Sequence, residues 1–166
     1  MKENIVLEKT KLNGLDNIVV KKFIKGLEGG RTLYVPADTD VVTSSESGGV
    51  TTTVETKIET PEVLKSGHVI IKLADGKYQA LPIKTVITTV GTGTPTEVVS
   101  YDSLPDGAAY VGLLYKEILK KLPAASIMTW GIVNGTAMAN ATAFASIKSA
   151  FKSAVPFIDY QIDEEA

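Results

Sequence analysis

SGHVIIKLADGKYQAL at residues 66–81, DGAAYVGLLY at 106–115 and ASIMTWGIVN at 125–134 decide how this chain reads. Each is a short β-prone run, and turns or a threonine-rich bridge separate them. Within the first, Asp75-Gly76 stands between Val69–Leu73 and Lys77–Leu81, a strong short-range hairpin signal. Ala108–Tyr115 and Ala125–Val133 follow as strands, and the connector KEILKKLP suggests one helical turn before Pro123. No constellation of groups that could do chemistry falls in this region. A small β-rich module whose surface is its function is the expectation.

Working toward the N-terminus, VTTTVETKIET alternates in the strand manner, so Val50, Thr52, Val54, Thr56 and Ile58 share one face until Pro61 ends the element. Ser44, Ser45, Ser47, Gly48 and Gly49 read as a flexible loop ahead of it. Asn17–Gly26 and Thr32–Val35 flank the glycines of GLEGG, which reads as a hairpin over residues 17–35. Ile5–Leu7 is a further short β candidate. Toward the C-terminus, Ile83–Val90 reads as a strand and Gly91–Pro95 as a loop. The one convincing helix is Thr142–Ala154, where Phe144, Ile147, Phe151 and Val155 recur at helical spacing and Thr142 or Asn140 could cap the start. Pro156 ends it, and FIDYQI supplies a last strand. The expected body is a β-barrel or sandwich with one packed helix in its C-terminal half.

Composition bounds the function classes. The chain has 166 residues, enough for one domain with an appended arm, and 44% of them are hydrophobic. It has no cysteine, so neither disulfides nor thiolate-bound metals enter. The net charge of −2 is unevenly spread: residues 1–31 hold seven basic side chains against four acids, while 38–62 hold six acids and Lys57 alone. The basic segment lacks the dense Arg/Lys patch with stacking aromatics that nucleic acid requires, and it reads as a solvated strand face. No stretch has the length of a signal peptide core or a membrane span, so a soluble protein without membrane or nucleic-acid partners is expected.

Candidate chemistry is thin. His68 is the sole histidine. Ser66 stands near it in sequence, but no third group is placed to orient the imidazole, so a strand-edge histidine without a catalytic role is expected. Asp38-Thr39-Asp40 starts like a calcium loop but puts Val42 where a third oxygen ligand should stand, and it reads as a polar turn. GLEGGRT at 26–32 has Arg31 instead of lysine and leads into TLYV rather than a helix, unlike a phosphate loop. Gly91-Thr92-Gly93 is a turn for the same reason. Trp130 shares parity with Met128 and Ile132, and core packing is its expected role over that of a binding aromatic. Asp102, Asp106 and Glu117 remain as acids that could meet in space. No catalytic, cofactor-binding or metal residue is singled out, and no cofactor is expected.

Residues 66–160 resemble the lambda-type head decoration proteins of tailed bacteriophages. The resemblance rests on HVIIKLADGKYQAL, the glycine-containing apolar strand of DGAAYVGLLY, SIMTWGIVN, and ATAFASIKSAF before an apolar end, in the family's order. It covers about ninety-five residues and its motifs are moderately specific. Pro82–Ser103 is a longer bridge than the compact family core needs, and residues 1–60 are more elaborate than a simple arm. The resemblance implies a mainly β, β-tulip-type body over residues 61–166; residues 1–60 read as an N-terminal arm or extension with hairpin character of its own. It also implies a non-enzymatic virion protein, made in the bacterial host cytoplasm, that sits as homotrimers on the outer surface of the expanded capsid. There it would bridge and stabilise major capsid protein subunits. In that family the arm adds to capsid sheet structure, which makes Ile5, Val6, Leu7, Ile18, Val19 and Val20 the capsid-binding candidates here. The alternative from another class is a head-fibre or tail-associated adhesin or fibre-attachment module. A small enzyme is the third reading.

Overall fold

The computed structural model describes residues 19–161. Among these residues the fold is mainly β with one helix, as the sequence led us to expect. In chain order the strands are β1 Val20–Gly26, β2 Arg31–Tyr34, β3 Thr39–Ser47, β4 Val50–Glu59, β5 Val63–Leu64, β6 Val69–Lys72 and β7 Tyr78–Ala80. They continue as β8 Ile83–Val90, β9 Thr96–Tyr101, β10 Ala109–Leu114, β11 Ile118–Leu119, β12 Ala124–Ala125 and β13 Ile127–Asn134. Helix α1, Ala141–Ala154, and β14, Ile158–Gln161, complete the described chain.

An eight-stranded sheet in the order β1-β13-β10-β6-β7-β2-β12, with β14 beside β13, curls into a half-barrel. Its central strands carry unbroken apolar runs because both of their faces are covered. Val69, Ile70 and Ile71 of β6 are all fully buried. Val69 and Ile71 join Leu113, Met128, Phe144 and Phe151 beneath the helix. Ile70 points the other way, into a cluster with Leu33, Leu64, Leu114 and Ile127. Phe151 centres the helix side, with Tyr110 and Phe144 rings edge-on at 5.4 and 5.5 Å. A Cβ at Gly112 would run into the Met128 carbonyl oxygen, so that residue lets β13 approach β10 at the point where the β10–β6 ladder shifts register.

The β6–β7 hairpin forms as expected. Gly76 takes φ +88°, and the Asp75 carboxylate accepts the Lys77 N–H at 3.0 Å. The hairpin expected over residues 17–35 does not form. β1 pairs with β13 and β2 with β7 and β12, because the glycine segment carries the chain across the sheet instead of folding it back. KEILKKLP makes no helical turn either; Ile118–Leu119 pairs with Val63–Leu64, and the chain then turns.

A second sheet, β3-β4-β8-β9, is built from two long hairpins. The Ser/Gly stretch read as a flexible loop is strand through Ser47, and only Gly48-Gly49, at φ +61° and +77°, make the turn. Positive φ at both central residues gives the turn whose twist suits a two-residue hairpin. Asp38-Thr39-Asp40 is not a turn: β3 begins at Thr39. The bridge Pro82–Ser103 supplies β8 and β9. Sheet membership therefore cuts across a boundary at residue 60. β1 and β2 belong to the half-barrel, whereas β3 and β4 join strands from the bridge.

Candidate functional site

The groups that chemistry would recruit are occupied within the fold. His68 is not at a sheet edge but 2% exposed, between the hairpin end and the start of α1. Its Nε2 lies 2.8 Å from the Leu81 carbonyl oxygen, which can only accept, so Nε2 carries the proton. Nδ1 then accepts from the Asn140 side-chain amide at 3.2 Å. Asn140 occupies the N-cap position of α1, yet its side chain makes no capping bond and is spent on the histidine instead. The Tyr101 ring sits edge-on to the imidazole at 5.3 Å, and its hydroxyl accepts the Val69 N–H at 3.3 Å. Burial pushes the histidine's pKa down to about 4 and the Tyr101 phenol up to about 12. The imidazole is thus neutral, fixed in one tautomer and sealed from substrate. Ser66 is no partner to it; its hydroxyl donates to the Tyr115 carbonyl at 2.8 Å.

The remaining candidates are tied down in the same way. Asp38 accepts the Thr60 N–H at 3.0 Å through Oδ1 and the Lys120 ammonium at 2.7 Å through Oδ2. The hydrogen bond from Lys120 holds its pKa below the usual carboxylate range. This pair fastens the second sheet to the loop after β11. It borders a cleft of about 280 Å³ at the junction of the two sheets, with Pro36, Gln79, Pro82 and Asp102 in its walls. Arg31 donates to the carbonyls of Glu28 and Gly30 and lies 5.4 Å over the Tyr78 ring, so it locks its own turn. Glu117 pairs with Lys65 at 3.0 Å beside a different groove from that of Asp102, so the acids left open by the sequence are not brought together. Among the described residues no cluster of three His, Asp or Glu side chains is arranged to hold a metal ion.

What the described chain offers is surface. Trp130 was expected in the core but is 46% exposed, its ring 5.7 Å from the still more open Phe157. It sits opposite Lys25 where the β1–β13 ladder is irregular, and the next residue, Gly131, is the one that faces inward. Phe23 and Ile24 of β1 are also exposed. Of the capsid-binding candidates, Val19 and Val20 are half-buried and pack on the helix-side core. The Val19 carbonyl accepts the Asn134 N–H at 2.8 Å, and Val20 lies opposite Val133. Ile5, Val6, Leu7 and Ile18 lie outside the described residues, as does the acidic end from Asp163 to Glu165.

The second sheet presents open surface as well. All nine residues of β3 are exposed, and β3 pairs with β4 alone. No residue of β4 is buried, although it lies between two strands. The sequence disclosed the alternation in this region but not the pairing of β3 and β4 with β8 and β9, which needs strands some thirty residues apart in the chain. No family model, curated protein or solved structure matches this chain.

Proposed function

We propose that this protein is a non-enzymatic virion component that decorates and stabilises the expanded phage capsid by bridging major capsid protein subunits, as homotrimers. The observation that supports this most is the contrast between occupied chemical groups and open β-surface. His68, Ser66, Asp38 and Arg31 are all engaged in holding the fold, while β3 presents a nine-residue edge to solvent. An exposed edge offers backbone N–H and C=O groups to a neighbouring chain, and the order of motifs over residues 66–160 points to a capsid as that neighbour. Each contact is modest, and repetition over a shell multiplies it.

The test is binding of the purified chain to expanded, DNA-free heads. The reading expects saturable binding at a fixed number of copies per head. Absence of binding, or attachment confined to tails, would favour the fibre-attachment reading instead.

A further inference from the structure

The strand register of β3-β4-β8-β9 sorts its side chains into two unlike faces. Opposite partners share a face, and successive residues alternate between faces. The pairs Val41–Thr56, Thr56–Val86 and Val86–Val98 form one row of the first face. Thr43–Val54–Thr88–Thr96 forms the next, and Val50 and Val90 lie farther out. Valine, threonine and serine make up nearly all of that face. Its single charged residue is Lys84, in the row beside the body. The second face carries Asp40, Glu46, Glu55, Glu59 and Glu97 against Lys57. It is also the face that seats on the body, where its Ile83 and Tyr101 are 7% and 4% exposed.

The first face borders the body only at its near end, where Thr39 and Ile58 line the cleft between the sheets. None of its residues is buried, and Val41, Val50, Val90 and Val98 are between 45% and 58% exposed. A sheet face meant for water carries charges, and here all but one of them lie on the side that meets the body at its Ile83–Tyr101 corner. The uncharged face of branched side chains is the one left open.

We infer that this face is the contact between copies of the chain, each turning it toward the same face of its two neighbours about the threefold axis of the proposed trimer. Three features select a second copy over another occupant. The face has no carboxylate, so like faces do not repel, and it has no charge pattern that would favour an acidic or basic partner. Ridges of valine and threonine at strand spacing fit the grooves of the same spacing on an identical face. Four strands of this length give a face of about 25 by 20 Å, roughly 500 Å². Three such faces bury about 1,500 Å² across the trimer, above the roughly 1,000 Å² that a specific interface needs.

The contact supplies what the decoration reading needs between protomers, but its test uses the chain alone. Sedimentation of the full chain at tens of micromolar is expected to give three times the 17.7 kDa chain mass. Val54→Glu and Val98→Glu should each sediment at the single-chain mass. Thr53→Glu, one residue away on the acidic face, should keep the oligomer and controls for a charge placed within a strand. Circular dichroism matching that of the unmodified chain shows that each variant is folded. Val41→Lys, on the open edge strand, serves if Val54→Glu does not fold. A single-chain mass for the unmodified protein, or oligomers that survive charges on the valine face, would overturn the inference. An oligomer that fails to bind heads would leave this contact in place and refute the capsid reading.

Discussion

The half-barrel buries both faces of its central strands, whereas the four-stranded sheet buries only the corner where Ile83 and Tyr101 meet the body. The two regions are therefore held by different terms. In the half-barrel, removal of apolar side chains from water dominates, and a buried aliphatic or aromatic contributes about 1.5–3 kcal/mol. In the second sheet the ladder bonds and cross-strand Thr/Val pairs carry the load, at roughly 0.2–1 kcal/mol per pair. The difference teaches where stability ends and recognition begins. A protein that puts its best β-formers on an uncovered face has reserved that face for something outside itself.

The largest effect should come from the body. Phe151→Ala removes a fully buried ring that touches Tyr110, Phe144 and Tyr160. It should cost about 3–5 kcal/mol in urea unfolding. A cost below about 1 kcal/mol would mean that the helix does not seal this core.

His68 tests the same region by pH. Its folded pKa of about 4 lies below the ordinary 6.5, so between these values the unfolded chain binds the proton that the folded chain refuses. Stability from this group is complete above about pH 6.5 and is lost as pH falls toward 4, by about 3 kcal/mol in all. His68→Gln should flatten that part of the curve; an unchanged slope would place the titrating group elsewhere.

Much of the half-barrel was legible because its signals are local. The Asp75-Gly76 turn, the apolar run of 69–71 and the 3.6-residue stripe of α1 each need only a few neighbouring residues. The rest depended on pairings that no local pattern specifies. The glycines after β1 suggested a reversal, yet β1 finds its partner more than a hundred residues away in β13. Trp130 had the parity of a core residue, but an irregular ladder turned it outward. His68 looked like an edge residue because nothing in the sequence indicates that the N-cap residue Asn140 would turn its side chain to the imidazole. The Thr/Val alternation of β4 and β8 was visible, but which face would stay open was decided by how β9 seats on the body.

Smaller effects sharpen the comparison at its margins. Deleting Met1–Lys11 should leave the described body folded. Binding to heads should weaken at least tenfold, about 1.4 kcal/mol per site. Unchanged occupancy would shift attachment onto the described surface alone. At the junction of the two regions, Lys120→Met removes the ammonium that Asp38 accepts at 2.7 Å, where the lysine is mostly covered but the carboxylate is half exposed. It should cost no more than about 1 kcal/mol, and less at high salt. A larger loss in thermal unfolding would show that the second sheet depends on the body more than its open faces imply.

The central claim is that this chain works by bridging capsid subunits. Cryo-electron microscopy of expanded heads incubated with the purified protein tests it most directly. The account predicts density at every threefold position, with each copy spanning adjacent capsid subunits. Density at twofold or fivefold positions, sparse projecting fibres, or bare heads would contradict it.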